Sequence, residues 1–186
     1  MVLKKALPNR IFLCGFMGAG KSTLGKALAK TIDKQFYDLD HVIEEAAGCS
    51  IPELFARGGE MLFRSCERQA LIQFIDSAEG VIALGGGTLQ QQSVIDKLKA
   101  SGLLVFVEAS LSIILPRIMR CDNRPLLMDD TGVMKKKAVL QEELHTLYQQ
   151  RMPMYRQAHL TFKVSANHPV KKLTTQLLKN IQSYEP

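Results

Sequence analysis

Residues 10–23 read RIFLCGFMGAGKST and carry the strongest structural signal in the chain. Its first part, Arg10 to Cys14, is a short apolar run that stops at Gly15, the pattern of a strand buried on both faces. Its second part, Gly15 to Ser22, fits G-x-x-x-x-G-K-[ST]. Beyond it Leu24, Leu28, Thr31 and Ile32 recur at helical spacing, so a helix follows the loop. Strand, glycine loop and helix in that order make a phosphate cradle. The glycines let the chain wind tightly enough to aim successive N–H groups inward, and the helix start adds unpaired donors and the positive end of its dipole. Lys21 would reach the outer phosphates and the Ser22 hydroxyl would face Mg²⁺. Gly18, Ala19, Gly20, Lys21, Ser22 and Thr23 are therefore the expected nucleotide-binding residues.

Working outward, further apolar runs read as strands at Gln35–Asp40, Val81–Leu84, Leu103–Val107 and Leu160–Val164. Between them lie helical stripes: Phe63, Cys66, Ala70 and Phe74; then Leu140, Leu144, Leu147 and Tyr148; then Val170, Leu173, Leu177 and Ile181. Strands alternating with helices predict an α/β fold whose parallel sheet is covered on both faces. Two stretches interrupt the alternation. Residues 41–78 hold only helix-like segments, broken at Gly48–Ser50 and at Gly58–Gly59, and read as a helical insert. Residues 121–137 carry turn chemistry without a period, as expected of a lid. The remaining core covers 8–40, 79–120 and 138–186, so residues 1–186 form a single domain.

Composition narrows the partners. The 186 residues are 46% hydrophobic and 23% charged, ordinary for a globular domain, with no apolar run approaching the ~18–20 residues that span a bilayer. Two lysines near the start are followed by no apolar core, which argues against a secretory signal. Cys14, Cys49, Cys66 and Cys121 form no C-x-x-C pair, so reduced thiols in a cytoplasmic protein are expected rather than zinc or disulfides. A net charge of +6 fits nucleic acid or a small polyanion, and the absence of Trp favours the polyanion. There is no guanine-reading N-K-x-D, and the Val81–Leu84 run ends in glycines, where a mechanical ATPase carries an acidic residue. Small-molecule kinases remain.

On the acceptor side, Asp38 and Asp40 at i and i+2 of a strand would share a face ~7 Å apart, one toward the magnesium water shell and one toward an acceptor hydroxyl. The same pair fits a strand end that caps the next helix, and spacing alone does not choose. Arg64 and Glu67 stand one helical turn apart, either as a solvated surface pair or as a guanidinium held in place for a substrate carboxylate. Gly85, Gly86 and Gly87 follow a strand, where ligands approach open α/β sheets closely.

Together these residues resemble the shikimate kinase family along the whole chain: GFMGAGKST (15–23), D-L-D (38–40), F-R-S-C-E (63–67), GGG (85–87), RPLL (124–127) and R-x-P-x-Y-R (151–156). The resemblance implies a three-layer α/β/α P-loop kinase fold with sheet order 2-3-1-4-5, a substrate-binding insert and a mobile lid. It implies Mg²⁺-dependent transfer of the ATP γ-phosphoryl group to the 3-hydroxyl of shikimate. Asp40 would bind the hydroxyl and take its proton, with Asp38 in the magnesium water shell. Arg64 and Arg156 would grip the carboxylate, Gly86 and Gly87 would line the ring, and Arg124 would approach the transferring phosphoryl. For adenine it implies Arg117, with Arg120 a competitor one turn away, and Pro169 with Asn167 nearby. The expected partners are shikimate and ATP, with no nucleic acid and no membrane, and the expected state is a monomer. The alternatives are a gluconate kinase of the same fold and a catalytically silent nucleotide-binding module.

Overall fold

The computed structural model describes residues 7–120 and 137–185. Five strands form one parallel sheet of order β2-β3-β1-β4-β5: β1 (Arg10–Cys14), β2 (Phe36–Asp38), β3 (Gly80–Ala83), β4 (Leu103–Glu108) and β5 (Leu160–Lys163). The middle strands carry apolar residues on both faces because both faces are covered. Ile11, Phe12, Leu13 and Cys14 are buried, as are Val81, Ile82, Leu104, Val105 and Phe106. At the edge, β5 buries only Phe162 fully and alternates with exposed residues.

The helices are α1 (Lys21–Thr31), α2 (Leu39–Ala47), α3 (Ile51–Ser77), α4 (Gln92–Ser101), α5 (Leu111–Ile118), α6 (Lys137–Tyr155) and α7 (Val170–Ser183). Local chemistry sets their limits. Gly48, in the left-handed region at φ 65°, ends α2. Ser50 and Glu53 then form a reciprocal capping box that starts α3. Within α3, Gly58 and Gly59 leave helical geometry and kink it. The insert expected over 41–78 is thus two helices broken at the places the sequence marks. Among the described residues no helix is long and apolar enough to cross a membrane. The segment 121–136, which holds most of the expected lid, lies outside the described residues.

The second strand is shorter than the apolar run suggests. It stops at Asp38, whose side chain accepts from the Asp40 N–H and caps α2, so Asp40 stands in the first helical turn and not on the strand. The two carboxylates therefore do not share a strand face, and the capping alternative holds for Asp38.

At the opposite end of the sheet, the Leu104 N–H donates to His159 Nδ1 at 3.1 Å, joining β4 to the start of β5. Burial, assisted by the charge of Lys99, lowers the His159 pKa below its ordinary value of 6.5. The folded protein therefore prefers the neutral ring, and the stability tied to it is complete above pH ~6.5 and lost as the pH falls toward the lowered value. Denaturant titrations at pH 7.5 and 5.5 should show a smaller loss on acidification for His159→Asn, whose amide oxygen keeps an acceptor that does not titrate. An equal loss in both proteins removes His159 from the acid response.

Candidate functional site

The β1 carbonyl ends feed the phosphate loop. Gly20 caps α1 from the left-handed region, φ 99° and ψ 20°, a conformation that strains any residue with a Cβ. Lys21 Nζ curls back to donate to the carbonyls of Gly15 at 2.9 Å and Phe16 at 3.1 Å, placing its charge over the loop. Ser22 Oγ donates to Asp38 Oδ2 at 2.6 Å, so hydroxyl and carboxylate face one another across the gap between α1 and β2. Arg117, in the last turn of α5, donates from Nη1 to the carbonyls of Gly18 at 3.1 Å and Ala19 at 3.4 Å. A cavity of about 490 Å³ opens here, lined by Gly18 to Leu24, Asp38, Asp40, Gly85, Gly86 and Arg117.

A second cavity of about 670 Å³ adjoins it. Its apolar wall is Ile51, Phe55, Phe63 and Leu147, with the rings of Phe55 and Phe63 stacked at 5.0 Å. Its polar wall is Arg64, Glu67, Gly87 and Arg151. Met17, Asp40, Gly85 and Gly86 line both cavities, so Asp40 stands where the two meet.

Arg64 is locked in place from below. Glu67, only 5% exposed, accepts from Arg64 Nη1 at 2.7 Å, and its other oxygen accepts from the buried Thr88 hydroxyl at 2.7 Å. Burial opposes the charge on Arg64, but Glu67 and Glu60 outweigh it and raise its pKa, so the guanidinium stays charged. A Cβ on residue 87 would collide with this guanidinium, so glycine here leaves room for it against the main chain. Arg151 reaches the same loop, with Nη1 3.4 Å from where a Cβ on Gly86 would stand. Its guanidinium sits 5.9 Å over the Phe16 ring, and its buried Nε has no hydrogen-bond partner among the described residues. Tyr155, one turn on, donates its hydroxyl to the Gly86 carbonyl and pins α6 to the glycine loop.

Most expected site residues come together: Gly18 to Thr23, Asp38, Asp40 and Arg117 around the first cavity, Arg64 and Gly87 at the second, Gly85 and Gly86 at both. Arg156 does not. It is exposed past the end of α6, and Arg151 of the same motif lines the cavity instead. Helical phase is the reason: Leu144, Leu147, Arg151 and Tyr155 fall on one face, whereas Arg156 is turned ~100° from Tyr155. That stripe is the signal that identifies Arg151. Asn167 and Pro169 are also exposed and do not line the first cavity, which the flanking Val164 and Val170 reach instead. Arg120 is exposed and absent from both linings, leaving Arg117 as the arginine on the loop. Arg124 lies outside the described residues. Cys14 is fully buried, and burial pushes its thiol up to about 12, which makes it inert core.

The profile of the family described as "Shikimate kinase" matches residues 17–182. A shikimate kinase of Salinibacter ruber is 36% identical over 176 residues, 94% of this chain and 85% of that protein. The solved structure of the shikimate kinase from Acinetobacter baumannii in complex with shikimate superimposes with a TM-score of 0.83 at 34% identity, covering 96% of this chain and 95% of that one. A gluconokinase from Sinorhizobium meliloti covers 95% of this chain and 93% of its own at TM-score 0.54 and 21% identity, a likeness of fold alone. On the family match and the identity to its relatives, the chain belongs to the shikimate kinase family.

Proposed function

We propose that this enzyme transfers the γ-phosphoryl group of ATP to the 3-hydroxyl of shikimate, releasing ADP and shikimate 3-phosphate. One observation carries the reading: a phosphate-loop cavity and a cavity with two arginines meet at a single wall, and Asp40 stands on that wall. The relative from Acinetobacter baumannii, crystallised with shikimate, supports the choice of acceptor.

In this mechanism the loop amides, the α1 terminus and Lys21 hold the β- and γ-phosphates. Arg117, which lines the first cavity beside Gly18 and Ala19, faces the base. Ser22 and Asp38 offer hard oxygens of the kind Mg²⁺ prefers, Asp38 through water, and the bound ion would neutralise the β- and γ-oxygens. Arg64 and Arg151, the two guanidiniums among the described residues that line the second cavity, clamp the shikimate carboxylate. The stacked phenylalanines receive the ring, and the main chain of Gly85 to Gly87 lies along it. Asp40 orients the 3-hydroxyl and accepts its proton as the oxygen bonds to the γ-phosphorus and the bond to the β-phosphate oxygen breaks. Arg124, proposed from the RPLL motif, meets the charge on the transferring group. We take the working enzyme to be a cytoplasmic monomer.

ADP release measured with shikimate, with gluconate and without acceptor tests the assignment. The reading predicts turnover with shikimate well above the other two, and equal rates in all three contradict it. Arg151→Ala should raise the KM for shikimate at least tenfold while leaving that for ATP near its normal value. Arg156→Ala should do neither, and the reverse pattern restores Arg156 to the carboxylate. Asp40→Asn should lower kcat by about 10²–10⁴-fold, the usual scale of a lost general base, while ADP still binds by calorimetry. Near-normal turnover takes the proton transfer away from Asp40.

A further inference from the structure

Two carboxylates of different standing hold Arg64. The Glu67 side chain is 6% exposed, accepts from Nη1 at 2.7 Å and is fixed on its far oxygen by Thr88. The Glu60 side chain is 63% exposed, and its contacts are longer, 3.2 Å from Nε and 3.1 Å from Nη2. Both fall on one oxygen, Oε1. Nε and Nη2 form the side edge of a guanidinium, one of the edges on which carboxylates dock with two hydrogen bonds. Glu60 occupies ground that suits a ligand carboxylate.

We propose that Glu60 is an internal stand-in for the substrate carboxylate, displaced from the Nε/Nη2 edge of Arg64 when substrate binds, and that it thereby sets the affinity for the acceptor. The proposal rests on reading Arg64 as a carboxylate-binding residue. Glutamate and arginine four residues apart are commonplace on helices, where both side chains stand in solvent. Here the guanidinium side chain is only 23% exposed, lies against Gly87 and faces the second cavity. Among the described residues that cavity is lined by the carboxylates of Asp40, Glu44, Glu60 and Glu67 and by only two guanidiniums, Arg64 and Arg151. An incoming anion meets an excess of negative charge unless one carboxylate withdraws, and exposure gives Glu60 the easiest route into water. Glu60 also follows the non-helical pair Gly58 and Gly59, at the start of the resumed helix. The dipole of the resumed helix favours its charge there once Arg64 is released. Exchanging one carboxylate for another keeps Arg64 aligned while reducing the net gain on binding.

Calorimetric titration of shikimate into the wild type, Glu60→Gln, Glu60→Ala and Arg64→Lys, with steady-state KM for both substrates, tests this. Glu60→Gln preserves shape and removes the charge. It should tighten shikimate about two- to fivefold, the scale of an exposed ion pair, and leave the KM for ATP unmoved. Glu60→Ala should tighten it in the same direction. Tighter binding is the result a merely structural role does not give. Unchanged or weaker binding in both variants overturns the proposal, because Glu60 would then be a bystander or a support for Arg64. If Arg64→Lys binds shikimate as well as the wild type does, the underlying carboxylate reading fails instead, so the two failures are distinguishable.

Discussion

The register between β1 and β3 is the constraint on which the site depends. Leu13 pairs with Ala83, and one residue on the Leu84 N–H donates to the Leu13 carbonyl at 2.9 Å. Both strands then end together, and the chain leaves each through glycine at the same edge of the sheet. Gly15 opens the phosphate loop and Gly85 opens the acceptor loop. A parallel sheet has this property at its carboxyl edge, and ligands collect where neighbouring strands send their connections apart. A slip of one residue would turn the β3 side chains to the opposite face and move the glycine loop away from the phosphate loop. The buried Ile11, Phe12, Val81 and Ile82 oppose such a slip.

From that edge the electrostatics are built outward. In the proposed reaction the phosphate side uses main-chain donors and Lys21, whose ammonium already lies over the loop. The acceptor side uses two long arginines, whose guanidiniums must be held in place. The structure meets that need with partners that are themselves buried: Thr88 fixes Glu67, Glu67 fixes Arg64, and the missing side chain of Gly87 leaves room for the guanidinium. Arg151 is aligned by its place on α6, which the Tyr155 hydroxyl ties to Gly86. Both arginines are thus referenced to the three glycines after β3, the same loop that borders Asp40. Positioning of this kind is what phosphoryl transfer asks of a protein, since the reacting groups supply the covalent chemistry themselves.

The sequence disclosed the sheet order only through family resemblance, but the strands, the kink at Gly58 and Gly59 and the phosphate loop are visible in local pattern. What stayed hidden has physical reasons. The end of β2 was obscured because Asp38 serves as last strand residue and helix cap at once, a dual role that apolar runs do not mark. Spacing leaves Glu67 either a solvated partner of Arg64 or the carboxylate that holds it, and the structure puts it in the buried stripe between Phe63 and Ala70. Only its contact with Thr88, distant in sequence, explains how a carboxylate is tolerated there. The choice between Arg151 and Arg156 was a matter of helical phase, which a motif written as a string ignores. Asn167 and Pro169 sit in a turn with no periodicity, where neither pattern nor phase separates an exposed residue from one that lines a cavity.

In the proposed reaction Arg64 and Arg151 fix the acceptor so that its hydroxyl meets Asp40 at the mouth of the phosphate loop. A crystal structure of the enzyme with ADP and shikimate would show this arrangement or refute it. The shikimate carboxylate should lie within hydrogen-bond distance, ~3.2 Å, of both guanidiniums, and the 3-hydroxyl at the Asp40 carboxylate on the side facing the nucleotide. A carboxylate bound at Arg156, or a ring turned so that Asp40 meets no hydroxyl, would contradict it.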